Sequence, residues 1–329
     1  MARRAVKPAK KPAKKPAKRR STASASPTVG AGELRTLLDF VRYAVSRFIA
    51  ADLVFAHGTA DPVAEAAFLV CETLHLHPDQ FETFAMARVT SAESSQILDV
   101  IARRVATRKP AAYLVNKVYM RGLPFYVDER TIVPRSYIGE LLDSHLGGRD
   151  DEENGSLIGD PHRIETVLDL CTGSGCLAVL ASRHFPNARI DAVDISEDAL
   201  DVAARNIADY GLDHRVMLHH GDLFEPVGSR RYDLIITNPP YVDAEGMAAL
   251  PRECRAEPKL AFDGGADGLA IVSRILQQAK RHLTAQGGLL CEIGRGRDAL
   301  EAAFPQMPLL WLDTEESDGE VFWISAADL

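Results

Sequence analysis

Hydrophobic residues recur along the first third of the chain with a helical period. Leu34, Leu37, Leu38, Val41, Val45, Phe48 and Ile49 follow the i, i+3, i+4, i+7 spacing of one helix face, and Gly58 is the expected stop. Asp61-Pro62 reads as a helix start ahead of Val63, Ala66, Ala67, Val70 and Leu74. Ser91 is placed to cap a third helix that carries Ile97, Val100, Ile101 and Val105 on one side. The pattern predicts a small helical domain over 33–110, with its amphipathic faces turned into its own core. A linker over 111–146 follows. Two apolar runs about Gly122, within 119–127, predict a hairpin, and Thr131-Ile132-Val133 extends it. Residues 147–163 are rich in Gly, Asp and Glu without periodicity and read as a loop. Short β-rich runs at 167–170, 190–193, 216–218, 234–237 and 289–293 then alternate with helical patterns. That alternation predicts a mostly parallel sheet covered by helices, with ligands at the C-terminal ends of its strands.

The 329 residues, 46% of them hydrophobic, exclude a wholly disordered chain. No apolar run approaches the length of a membrane helix. Cys71, Cys171, Cys176, Cys254 and Cys291 are odd in number and lack C-x-x-C spacing, which predicts reduced thiols and a cytoplasmic protein. The formal net charge of −8 hides an asymmetry, because residues 1–20 hold ten Lys/Arg and no acid. The remainder carries 28 basic and 46 acidic residues, a balance of −18. An acidic body is a poor nucleic-acid surface as a whole. Pro8, Pro12 and Pro16 interrupt any helix, so 1–32 reads as a disordered basic tail without a secretory leader. Two readings of the tail stay open: a solvated segment with no specific task, and a weak, salt-dependent contact to RNA.

Candidate chemistry lies at the strand ends. The run through Asp169 continues as Cys171-Thr172-Gly173-Ser174-Gly175-Cys176 and enters a helix. Two glycines there let the backbone approach a ligand closely at a helix N-terminus. Asp194 ends the next strand, where a carboxylate can accept hydrogen bonds from two ribose hydroxyls. Ala178 replaces the third glycine of a dinucleotide fingerprint and Asp169 stands at its first position, so NAD fits poorly. Asp169 instead places negative charge where a sulfonium or ammonium would be favoured. Asp222, after the third strand, can accept an adenine amino hydrogen while Leu223 packs on the ring. Each Asp taken singly also fits a carboxylate that caps the following helix. Together, at the ends of three successive strands, they resemble the S-adenosylmethionine (AdoMet) pocket of class I methyltransferases, in which Ile195 would also take part.

The fourth strand ends in Asn238-Pro239-Pro240-Tyr241. This tetrapeptide resembles the signature of methyltransferases that act on planar nitrogen, either exocyclic base amines or glutamine amides. Such a nitrogen has its lone pair delocalised and is a poor nucleophile. The Asn238 side-chain oxygen and the Pro239 carbonyl can each accept one of its N–H groups, aiming the lone pair at the methyl. Pro239 and Pro240 stiffen the loop, and Tyr241 offers a wall for the planar group. In-line transfer of this kind needs no metal. The acidic body and the small extra domain favour a protein acceptor over DNA or RNA.

Arg108-Lys109-Pro110-Ala111-Ala112-Tyr113-Leu114, the hairpin, Val133-Pro134-Arg135, and Glu257-Pro258 through Gly264, Gly265, Asp267, Gly268 and Leu269 are similar to the protein-glutamine methyltransferase family. The resemblance spans about 34–329. It implies an α/β class I AdoMet-dependent methyltransferase, Rossmann-like with a mostly parallel seven-stranded sheet over 147–329, an N-terminal helical domain and a β-hairpin linker. Pro134-Arg135-Ser136-Tyr137-Ile138-Gly139-Glu140 and the 250–255 segment resemble the branch acting on large-subunit ribosomal protein three. The release-factor branch carries Pro-Arg-Pro-Glu-Thr-Glu in the linker and is the alternative. His75-x-His77 and His219-His220 lack further ligands at zinc spacing and are expected to be surface residues. Cys171, Cys176 and Cys254 are expected to be packing residues, and Trp311 and Trp323 to lie in the core of a final strand pair.

Overall fold

The computed structural model describes residues 32–144, 146, 157–315 and 317–329. The tail reading, and most of the loop read over 147–163, lie outside them. Residues 35–329 form one compact unit.

Helices α1 (Leu37–Ala50), α2 (Pro62–Thr73), α3 (Phe81–Phe84) and α4 (Ser91–Thr107) build the N-terminal part. Phe40, Ala44 and Phe48 of α1 are buried, as are Leu69 and Val70 of α2 and Ile97 and Ile101 of α4. Among them lies a buried ion pair, Arg104 Nε to Glu65 Oε1 at 2.8 Å. Losing one partner would strand the other charge, which costs on the order of 3–5 kcal/mol. Asp61 caps α2 with Pro62 in its first turn. Helix α4 is capped by Thr90 and not by Ser91: Thr90 Oγ1 accepts from the Glu93 N–H, and Glu93 accepts from the Thr90 N–H. The reciprocal pair needs a Glu three residues on, which Ser91 lacks. Helix α1 also stops well before Gly58. Asp52 takes a left-handed conformation (φ 52°), and Leu53 N–H bonds back to Phe48 O at 3.2 Å, closing a Schellman turn. His75 (φ 59°) does the same for α2, with Leu76 N–H on Cys71 O.

After α5 (Ala111–Val115) comes the hairpin of β1 (Val118–Met120) and β2 (Leu123–Phe125), paired Met120 to Leu123. Arg121 and Gly122 both have positive φ, the requirement of a two-residue type I′ turn. Thr131-Ile132-Val133 does not extend the hairpin. The Val133 N–H goes to the Glu257 carboxylate at 2.9 Å and not to a strand. Helix α6 (Ile138–Ser144) follows.

The sheet is built from β3 (Thr166–Leu170), β4 (Arg189–Asp194), β5 (Val216–His220), β6 (Tyr232–Thr237), β7 (Leu283–Glu292), β8 (Leu310–Leu312) and β9 (Val321–Ser325). Its order is β5-β4-β3-β6-β7-β9-β8, parallel except for β9, which runs antiparallel to β7 and β8. Helices α7 (Cys176–His184), α8 (Glu197–Asp209), α9 (Ala244–Ala249), α10 (Ala270–Ala279) and α11 (Arg297–Ala303) complete the chain. Side chains alternate between two cores: Leu234 and Ile236 of β6 join one, Ile235 the other. The first core also takes Met120 and Phe125 of the hairpin and Ile138 and Leu141 of α6. Trp323 on β9 is buried against Gly288, where a Cβ would lie 2.2 Å from the indole. Trp311 is not core. It sits half-buried on edge strand β8 and donates its Nε1–H to Glu301 at 2.7 Å.

Strand order reverses at β3, which has β4 on one side and β6 on the other. A crevice at the carboxyl ends of these strands is where open α/β sheets hold ligands.

Candidate active site

The turn after β3 is built from left-handed residues: Cys171 (φ 58°), Gly173 (φ 55°) and Gly175 (φ 78°). At Gly175 a Cβ would press on Ala203 of α8 at 3.2 Å, so glycine lets two helices approach. Asp169 lies wholly buried below this turn. Its Oδ2 accepts from Thr172 Oγ1 at 2.6 Å, while Oδ1 has no partner. Burial pushes the carboxyl up to about 7 against the Thr172 hydrogen bond, and the charge of Asp194 adds to the rise.

Asp194, at the end of β4, ties the glycine turn to the next helix. Its Oδ2 accepts from Gly173 N–H at 2.8 Å and its Oδ1 from Ser196 N–H at 2.9 Å. Burial raises this carboxyl too, and the backbone donors only partly offset it. After β5, Leu223 is buried in a left-handed conformation (φ 50°), and Asp222 Oδ2 accepts from Arg274 of α10 at 2.6 Å. After β6, Asn238 donates from Nδ2 to the main-chain oxygen of Arg135 at 3.1 Å. That bond fixes the amide and leaves Oδ1 as the free acceptor.

One cavity joins these strand ends. Asp194, Ile195, Asp222, Leu223, Asn238 and Pro240 line it, with Thr131, Ile271 and Arg274. Thr131 brings a buried Oγ1 with no partner. Asp169, Thr172, Gly173, Ser174, Gly175 and Cys176 do not line the cavity. Asp169 is the last residue but one of β3, below the turn, and residues 172–175 form the turn itself, buried but for half-buried Gly173, with Cys176 opening α7. Buried Pro239 does not line it either. Tyr241 also lies outside it and borders a neighbouring cavity with Tyr137, Gly294 and Glu320. Its hydroxyl donates to Glu292 Oε1 at 3.2 Å. Glu292 is buried, and its Oε2 accepts from Ser136 Oγ at 2.7 Å and Tyr137 N–H at 3.0 Å. Burial pushes Glu292 up to about 7 in spite of these donors. Glycine backbones cage the tyrosine: a Cβ on Gly268 would lie 2.5 Å from its carbonyl oxygen and one on Gly294 2.6 Å from its ring.

The histidines set aside above have local tasks. His77 Nδ1 accepts from Asp79 N–H, His219 bonds Asp191 at 2.7 Å, and His220 Nε2 lies 3.1 Å from Ile195 O. Cys171 borders the cavity, and buried Cys254 has its Sγ 3.7 Å from His57 Nε2.

The methyltransferase small domain family matches residues 158–251. The chain is 75% identical to the ribosomal protein uL3 glutamine methyltransferase of Bradyrhizobium diazoefficiens, over 92% of this chain and 94% of that protein. The protein of the same name from Bordetella pertussis is 50% identical, over 90% and 97%. The chain belongs to this methyltransferase family. Among solved structures, a methyltransferase from Pyrococcus furiosus is 19% identical, with a TM-score of 0.41 over 71% of this chain and 96% of that one.

Several residues at the site of this uL3 glutamine methyltransferase family member have no signal in spacing or periodicity. Arg274, Glu292 and Thr131 are among them. Arg135 and Glu257 stand inside segments that carry the family resemblance, yet nothing in the sequence shows that they meet. They lie 122 residues apart and bond at 3.2 Å.

Proposed function

We propose that the chain transfers the methyl group of AdoMet to the side-chain amide nitrogen of a glutamine in large-subunit ribosomal protein three. The observation that carries this reading is Asn238, an amide held by Arg135 O beside a cavity lined by Asp194 and Asp222. The family relationship supports the acceptor.

The residues present fit AdoMet. Asp194 suits its ribose, Asp222 its adenine amino group, and Ile195, Leu223 and Ile271 the faces of the ring. Asp169 lies buried below the turn that would take the cationic end, and a bound cation would favour the ionised form of a carboxyl that burial raises to about 7. When bound, AdoMet supplies an electrophilic methyl on a positively charged sulfur. Asn238 Oδ1 and the Pro239 carbonyl accept the two N–H groups of the glutamine amide and hold its nitrogen with the lone pair forward. A carbon–nitrogen bond forms as the carbon–sulfur bond breaks. The nitrogen then sheds one proton, so no strong base is required. Positioning of this kind is worth up to about 10 kcal/mol in favourable cases. No metal enters this reading.

Residues 33–110 are assigned to recognition of the protein acceptor, and the linker over 111–146 to joining them to the methyltransferase part over 147–329. A cytoplasmic setting goes with a ribosomal acceptor; no helix among the described residues is long and apolar enough to cross a membrane. The test offers labelled AdoMet with purified ribosomal protein three, release factor and a duplex oligonucleotide in parallel. Label on the ribosomal protein, lost when one glutamine is replaced, is the expected result. Label on the release factor alone would move the chain to the other branch. Label on the oligonucleotide alone would overturn the amide chemistry, and failure to bind AdoMet would leave an inactive domain.

A further inference from the structure

The bond that orients Asn238 is donated by its Nδ2 to a main-chain carbonyl, so whatever holds Arg135 in place holds Asn238 too. The Arg135 guanidinium grips both oxygens of Glu257, each at 3.2 Å. Glu257 is fully buried at its side chain and has further partners: the Val133 N–H at 2.9 Å and His57 Nε2 at 3.0 Å. Two of its contacts thus clamp residues 133 and 135 of one extended segment, and the third reaches the helical part. Burial alone would raise this carboxyl, but the His57 hydrogen bond and the Arg135 charge outweigh it and keep it below the ordinary range.

We infer that Glu257 is a positioning residue for methyl transfer: through Arg135 it fixes the carbonyl that orients the Asn238 amide, and through His57 it ties that geometry to the helical part of the chain. The inference rests on the role proposed for Asn238. His57, Cys254 and Glu257 place one ligand atom each within 4.8 Å of one another, a spacing that a metal ion could use. The donor set argues for hydrogen bonding instead. Both Glu257 oxygens already carry the Arg135 fork, and desolvation pushes the Cys254 thiol up to about 11, away from the thiolate a metal would need.

The test uses the full chain with Glu257→Gln, which keeps size and removes charge, and Arg135→Lys, which keeps charge and loses the two-pronged grip. A small displacement of an orienting group costs up to about a hundredfold in rate. Turnover in Glu257→Gln is expected to fall roughly 10- to 100-fold and in Arg135→Lys roughly 3- to 10-fold. The KM for acceptor and the calorimetric affinity for AdoMet should stay within about twofold. Unchanged turnover in the folded variants overturns the inference. So does a parallel loss of AdoMet affinity and thermal stability, the mark of a merely structural role. Should Glu257→Gln fail to fold, the partly exposed Arg135 carries the test alone. One equivalent of tightly bound zinc in the purified chain, measured by elemental analysis, would also overturn it. Rates are compared on whichever acceptor the unsubstituted chain labels. A wrong acceptor in the functional reading therefore shows in the unsubstituted chain and leaves the comparison of variants intact.

Discussion

Asn238 opens the tetrapeptide whose Tyr241 hydroxyl donates to Glu292, yet the two residues call for opposite experiments. Asn238→Ala removes an acceptor that matters only while the substrate nitrogen is being held. Turnover should drop below detection while calorimetry still finds AdoMet binding within a few-fold of the unsubstituted chain; a variant that retains its rate would remove Asn238 from the chemistry. Glu292 is a question of protons. Its folded carboxyl titrates near 7 against an ordinary 4.5, so the folded chain holds a proton that the unfolded chain has lost between those values. This group's contribution to stability is complete below about pH 4.5 and is lost as the pH rises through 7. Glu292→Gln removes that loss. The melting temperature of the variant, relative to the unsubstituted chain, should therefore be more favourable at pH 8 than at pH 5. Parallel curves would refute the shift. The two residues also differ in legibility. Asn238 stands in a tetrapeptide after a readable strand, whereas Glu292 is one acid among 46 until β7 carries it against Ser136, Tyr137 and Tyr241.

Among the elements, type was easier to read than ends. Helices α1, α2 and α4 and strands β3 to β7 follow from period and residue type because each has a strongly apolar face. Their ends depend on local hydrogen bonds that periodicity does not report. Asp52 and His75 stop helices in conformations usually left to glycine, and Thr90 outcompetes Ser91 as a cap only through Glu93. The cap gives a prediction. Thr90→Ala should cost about 1 kcal/mol, lowering the melting temperature by roughly 1–2 °C in a unit of this size, while Ser91→Ala should be close to neutral. Equal effects at the two positions would return the cap to Ser91. The segment 131–133 is no strand in spite of its β-branched residues, because these favour strands only where a ladder partner exists. Here a carboxylate takes the Val133 N–H instead.

For the whole molecule, charge makes the prediction. The chain beyond residue 20 has a balance of −18, and an acceptor that assembles on ribosomal RNA needs basic residues to meet its phosphates. Long-range attraction of that kind acts on encounter and is screened by salt. The KM for the ribosomal acceptor should rise several-fold between about 50 and 300 mM salt with turnover little changed; a flat KM would show that docking is local and apolar. The parallel order of the sheet was legible from the alternation of strands and helices. The sharing of one core by hairpin, α6 and sheet was not, because a linker read by itself shows no partner for Met120, Phe125 or Ile138.

That shared core, and the contacts of Glu253 and Glu257, also dictate an order of assembly. Val54 N–H finds its carboxylate 199 residues later at Glu253, and His57 finds Glu257 200 residues later. During synthesis the helical part can form its own turns, but its two buried acid partners arrive only when more than three-quarters of the chain exists. Contacts of such separation are entropically slow to form. The clamp on the orienting carbonyl of Arg135 can therefore close only once residue 257 has been made, and a nascent chain ending before Glu253 carries Asn238 without it.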